Sequence, residues 1–274
     1  MNAASWISAL VAMGGLATAG SAAVGGLRRA SPDNWCWWHP AAGVAGLVNI
    51  ALLVGRAVDV GPEAWLRTSF DVTVLLATMV LAVGLLCATV RSLRGLDGFL
   101  IPLAAVIQAV AFLALLRQGD PPLQQAPAWF VVHMVTLVLG TTCFLSGGAA
   151  GLVFWATHRA LRSKRKSGLV GHVPPLESLE RFSRWMVTAG LPLFTLGILT
   201  GICEMVQAEE PSAWLWDQVV ILSFLLWAAY AATVLLIWLR PQHRGRRAAA
   251  LSASGVVVLL IVFLVLVLFP AAHR

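Results

Sequence analysis

The residues best able to do chemistry in this chain are its six histidines: His39, His133, His158, His172, His243 and His273. Imidazole is a common protein ligand of metal ions and changes charge near neutral pH. Three of them, His158, His172 and His243, stand among basic residues between apolar runs and read as solvated loop side chains. His273 precedes the last residue, Arg274, and reads as a terminal residue. His133 differs. It lies inside the apolar stretch AWFVVHMVTL, where an ionisable group has to face protein, water or a ligand. A histidine hydrogen-bonded to a neighbouring helix and a metal ligand both satisfy that demand. His39 closes the cluster Trp35-Cys36-Trp37-Trp38-His39-Pro40. Its indoles serve either as interfacial anchors or as walls for a flat aromatic ligand.

A second constellation lies in CEMVQAEEPSAWLWDQVV, residues 203–220, where Trp214, Trp216 and Asp217 are grouped. Asp217 at a helix start caps the helix and complements its dipole. The alternative is an aromatic platform on the same side as His133. Stacking faces together with one axial histidine would suit a porphyrin.

These residues have to be positioned by helices in a membrane. Hydrophobic residues make up 59% of the 274-residue chain and charged residues 11%, whereas soluble domains are about a quarter charged. The apolar residues fall in runs near the ~20 residues needed to cross about 30 Å of hydrocarbon. Such runs satisfy their backbone internally only as helices, and they lack the alternation of a membrane barrel. Eight runs are predicted, over 5–27, 41–55, 71–90, 98–116, 129–157, 185–206, 214–239 and 248–269. The fold class is therefore all-α, a polytopic integral membrane bundle forming a single domain over 1–274. Pro192 marks an expected kink in the sixth run. The glycines 147, 148 and 151 mark close helix contact in the fifth.

Basic residues set the orientation. With both termini outside, the outer loops hold only Arg56, Arg67, Arg117 and Arg274 of the 19 Lys and Arg. The rest gather in the inner loops, above all in 158–184 with its RSKRK segment, as positive-inside topology requires. Tryptophan agrees, because Trp227 is the only one of 12 predicted at mid-span. This places the chain in a plasma (inner) membrane as a multi-pass protein. The net charge of +7 belongs to topology, not to nucleic acid.

Several functions are excluded. The four cysteines form no C-x-x-C and no C-x-x-C-H, so the chain is neither a c-type cytochrome nor a thioredoxin-like reductant. It has no phosphate-binding G-x-x-x-x-G-K-[ST] and no H-E-x-x-H. No charged residue is placed at mid-depth in a run, which lowers the small-molecule transporter reading.

In order along the chain stand W-F-V-V-H (Trp129 to His133), P-P-L-E-S-L-E (Pro174 to Glu180), G-L-P-L-F-T-L-G-I-L-T-G (Gly190 to Gly201), W-L-W-D (Trp214 to Asp217), L-L-W-A-A-Y (Leu225 to Tyr230) and R-G-R-R-A-A (Arg244 to Ala249). With this order and spacing, residues 129–269 resemble the cytochrome c assembly family, the CcsA/CcmC-type haem-handling membrane proteins. The resemblance is closest to the eight-helix HemX/YpjD-like branch. It implies haem binding or handling in cytochrome c biogenesis, with haem b presented on the outer face. Trp214, Trp216 and Asp217 match the remnant of the family's tryptophan-rich segment, and His133 matches the histidine that precedes it. His39 resembles an intramembrane histidine near the cytoplasmic face. The implied role is haem handling more than catalysis by the chain alone. The implied partners are membrane lipid, haem, a second cytochrome c assembly subunit and apocytochrome c. The alternative is a non-catalytic membrane scaffold or regulator of haem biosynthesis acting through the loop 158–184.

Overall fold

A computed structural model describes residues 13–17, 20, 38–61, 66, 68–117, 128–162, 173–207 and 218–239. Among these residues the protein is helical, with turns and no strand. Six helices carry the description: α1 (Trp38–Val60), α2 (Ser69–Thr89), α3 (Asp97–Arg117), α4 (Ala128–Arg162), α5 (Leu176–Gln207) and α6 (Gln218–Leu239). Residues 13–17, inside the first predicted run, are helical as well. The eighth run, Trp214, Trp216, Asp217, His172, His243 and His273 lie outside the described residues. Among the described residues, four helical stretches are long and apolar enough to cross a membrane: His39–Val58, Ser69–Thr89, Trp129–Arg162 and Leu176–Cys203. Asp97–Leu113 and Val220–Leu236 are shorter apolar helices. This is a helical membrane protein.

The chain divides into two compact units, Met1–Pro127 and Ala128–Arg274. In the first unit, α2 begins with mutual capping. Thr68 Oγ1 accepts from the Asp71 backbone N–H at 3.1 Å and donates to Asp71 Oδ2 at 2.7 Å. One orphan N–H of the helix start is thereby satisfied. A tight turn over 90–96 carries the chain into α3, with Gly95 at φ 111, a conformation that a residue bearing Cβ resists. Gly84 lets α2 and α3 approach. A Cβ there would stand 3.2 Å from Ile101 Cγ1 and Leu100 Cβ.

Both ends and the middle of α1 are held by polar contacts. His39 Nε2 meets Asp97 Oδ2 at 3.0 Å, Asn49 Nδ2 donates to Gln108 Oε1 at 3.1 Å, and Arg56 pairs with Asp71 through two nitrogens. The contacts made by His39 and Asn49 show that α1 and α3 run in the same direction. Arg56, read from the sequence as the residue that stops the second run, instead lies within α1. Its charge is neutralised by the buried Asp71 carboxylate and covered by the Phe70 ring, 5.6 Å away, so the helix continues to Val60.

In the second unit, α4 and α5 pack along a seam of glycines. A Cβ on Gly140 would lie 2.9 Å from the Phe194 backbone N and Cβ, and one on Gly147 3.0 Å from Met186 Cβ and Val187 Cγ2. Reciprocally, a Cβ on Gly190 would meet the Phe144 ring at 2.8 Å, one on Gly197 would meet Leu137 Cδ2 at 2.5 Å, and one on Gly201 would meet His133 Cε1 at 2.6 Å. Partners ascend on one helix as they descend on the other, so the pair is antiparallel. Gly140 and Gly147, like Gly190 and Gly197, are seven residues apart, the spacing that keeps one stripe facing a neighbour. In lipid, where apolar burial does not drive helices together, close van der Waals packing of this kind does. Helix α6 joins them, with two aromatic contacts among those that hold it. Trp227 Nε1 donates to Thr195 Oγ1 at 2.9 Å, and Tyr230 stacks on Phe144 at 3.6 Å with 5° between the planes.

Two loop expectations are corrected. Helix α4 continues to Arg162, past the predicted end at 157, and α5 starts at Leu176, well before 185. The 35 residues of α4 rise about 52 Å, more than the hydrocarbon requires. His158, expected in a loop, therefore lies on α4, stacked on Phe154 at 6.0 Å.

Candidate functional site

His133 lies in the second turn of α4, half-buried, with Phe130 one turn before it, ring centroids 6.4 Å apart. The opposing wall is α5. Nδ1 of His133 is 2.6 Å from the carbonyl oxygen of Gly197 and 3.3 Å from Thr200 Oγ1. A carbonyl can only accept, so Nδ1 carries the proton and donates it. In the neutral ring this leaves the lone pair on Nε2, the nitrogen then able to bind a metal. Gly201 lies against the ring. A Cβ there would fall 2.6 Å from Cε1, 3.1 Å from Nδ1 and 3.5 Å from Nε2. Thus α5 orients Nδ1 and, at Gly201, leaves room for the Cε1 edge of the ring.

His39 opens α1 in a different state. Its Nε2 contacts Asp97 Oδ2, and the other oxygen of that carboxylate accepts the Gly95 backbone N–H at 2.7 Å. Asp97 is fully buried, whereas the His39 side chain is 30% exposed. The imidazole is thus engaged through Nε2 by a carboxylate that also anchors the turn before α3. The sequence does not single out Asp97, because its partner His39 is 58 residues away in the chain.

Of the remaining expected site residues, His133 and His39 belong to different compact units, and each is described within its own. Trp214, Trp216 and Asp217 lie outside the described residues. Gly197, Thr200 and Gly201 were visible in the stretch G-L-P-L-F-T-L-G-I-L-T-G, but nothing in their spacing pointed to His133. Among the described residues no group of three or more His, Cys, Asp or Glu is placed to hold a metal ion. His133 could therefore serve a metal only as one ligand of a set completed by other donors.

Fold and site together define a polytopic helical membrane protein with an oriented histidine near one helix end. Comparison with known proteins gives the family. The model of the family described as Cytochrome C assembly protein matches residues 65–273, most of the chain. The chain belongs to the cytochrome c assembly family. It is 27% identical over 226 residues to an uncharacterised 28.8 kDa protein in the nifR3-like 5′ region of Azospirillum brasilense, covering 78% of this chain and 81% of that protein. It is 29% identical over 190 residues to the cytochrome c biogenesis protein CcsA of Synechococcus sp. (strain RCC307), covering 60% of each chain. It is 27% identical over 137 residues to the protein HemX of Brevibacillus brevis, covering 49% of this chain and 47% of that one. The match thus spans from about half to four-fifths of these relatives' lengths. No solved structure matches the chain.

Proposed function

We propose that this protein binds haem b in cytochrome c biogenesis and presents it on the outer face of the plasma membrane, with His133 as an axial ligand through Nε2. The observation that carries the reading is the Nδ1–H donated to the Gly197 carbonyl at 2.6 Å, which leaves Nε2 as the coordinating nitrogen. The donor set fits a haem better than a free ion. Among the described residues His133 has no cluster of further ligands to hold a bare metal, but one imidazole suffices for iron already held by four porphyrin nitrogens. When bound, haem would supply the iron and the vinyl groups that an apocytochrome acquires. The residues of this chain bind it, orient it and keep it at one face.

In this reading Trp214 and Trp216 are stacking faces beside the ring and Asp217 fixes the start of the following helix. The biogenesis names of CcsA relatives support the place of the protein in cytochrome c biogenesis. His39, engaged by Asp97, is the second haem-contacting histidine, at the inner face. The partners are a second assembly subunit and apocytochrome c, and attachment itself is the work of that assembly. Both termini lie outside.

The test is the absorption of protein purified in detergent from haem-replete cells. A Soret band that is lost in His133→Ala supports the proposal. Colourless protein that also takes up no added haemin refutes it.

A further inference from the structure

We infer that Thr200 and Gly201, neighbours on α5, form the device that selects Nε2 of His133 for ligation, Thr200 as a positioning residue acting on Nδ1 and Gly201 as the gap that seats the Cε1 edge of the ring against α5. The inference rests on the haem-iron reading above for its purpose, but its geometry stands in the ligand-free protein.

A histidine ring on a helix can turn half-way round about its last torsion, exchanging Nδ1 with a carbon. What opposes that turn here is a pair of acceptors on one side. The Gly197 carbonyl is 2.6 Å from Nδ1 and Thr200 Oγ1 is 3.3 Å from it. The Thr200 hydroxyl has one proton, and Leu196 O at 2.8 Å is the acceptor one turn back. Donation there leaves the lone pairs of Oγ1 for the imidazole N–H, which then bonds to two acceptors at once. Gly197 O, 2.9 Å from the same hydroxyl, completes the bracket. A ring turned round would set a carbon against both oxygens and lose both contacts. The bond also pushes electron density toward Nε2, strengthening it as a ligand.

Gly201 supplies the space. Non-bonded carbons rest about 3.5–4.0 Å apart, yet any β-carbon at position 201 would stand 2.6 Å from Cε1. Alanine would press on Cε1 and displace the ring from the bracket, since Nδ1 would be only 3.1 Å away. The two neighbours therefore act on adjoining positions of one imidazole, Thr200 on Nδ1 and Gly201 on Cε1.

The experiment uses full-length protein with 15N-labelled histidine, the His133 signals being assigned by their loss in His133→Gln. In ligand-free protein, the expected result is Nδ1 protonated and Nε2 bare. Thr200→Ser keeps this state, and Thr200→Val, matched in shape, shifts His133 toward a mixture of tautomers. In haemin titrations Thr200→Val weakens binding about ten-fold and raises the midpoint potential, while Thr200→Ser restores both. Gly201→Ala alters the Soret maximum at unchanged helix content by circular dichroism. Wild-type tautomer and wild-type affinity in Thr200→Val would overturn the inference. Failure of the wild type to take up haemin would instead overturn the haem reading, and the tautomer measurement would still decide the role of Thr200.

Discussion

Gly140→Ala is the sharpest perturbation of the scaffold that holds His133. The new β-carbon would lie 2.9 Å from the Phe194 backbone nitrogen, 2.9 Å from its Cβ and 3.0 Å from its Cα. None of these atoms can rotate away, so α4 and α5 would have to separate by roughly 0.6–1 Å to restore ordinary contact. Overpacking of this kind costs about 1–3 kcal/mol. The replacement of glycine inside a helix returns about 0.5–1 kcal/mol. The net expectation is a loss of up to about 2.5 kcal/mol against wild type, and of about 1–3 kcal/mol against a glycine-to-alanine change that meets no neighbour. The assay is reversible unfolding in mixed detergent micelles followed by circular dichroism, with Gly55→Ala as the reference. At Gly55 an added Cβ meets nothing within 4 Å, so that variant should match or slightly exceed the wild type. Gly140→Ala as stable as Gly55→Ala would refute the close seam between α4 and α5.

Further outcomes follow from the polar contacts. Asn49 and Gln108 are both buried and share one hydrogen bond, so Asn49→Leu or Gln108→Leu alone, which strands the remaining amide, should cost about 1–3 kcal/mol. The double leucine variant should be close to wild type in the same unfolding assay. Arg56→Met should cost about 3 kcal/mol by leaving the Asp71 carboxylate buried without its cation, and Arg56→Met/Asp71→Leu should recover most of that loss. Trp227→Phe removes the N–H donated to Thr195 and should cost about 0.5–1.5 kcal/mol. A stability unchanged by Trp227→Phe would argue against the docking of α6 on α5.

Much of this architecture is legible in the sequence because hydrocarbon imposes a simple length rule. The run predicted over 71–90 is the helix Ser69–Thr89, and the run over 98–116 is Asp97–Arg117. The rule fails where charge is neutralised within the fold. Arg56 looks like a stop until Asp71, in another helix, is seen to pair with it. It fails again where helices outrun the hydrocarbon. The ends of α4 and α5 around Arg162 and Leu176 are polar enough to read as loop, yet Glu177 and Arg181 pair one turn apart and lie on a helix. Trp227, the one indole out of place in the predicted belt, is explained by its bond to Thr195. At the site, His133 was visible as an imidazole in an apolar run, because burying such a group has a cost that some partner must offset. The partner was not visible. A backbone carbonyl carries no side-chain signature, and Gly197, Thr200 and Gly201 read as ordinary residues of an apolar helix until the antiparallel register brings them opposite His133.

The proposed hold of Nε2 of His133 on haem iron is open to chemical rescue. His133→Gly would empty the ring's place between Gly197 and Gly201 and leave room for free imidazole. If Nε2 holds the iron, this variant loses the wild-type Soret spectrum and regains it when imidazole is added together with haemin. A His133→Gly protein whose spectrum already equals that of the wild type without imidazole would contradict ligation by Nε2.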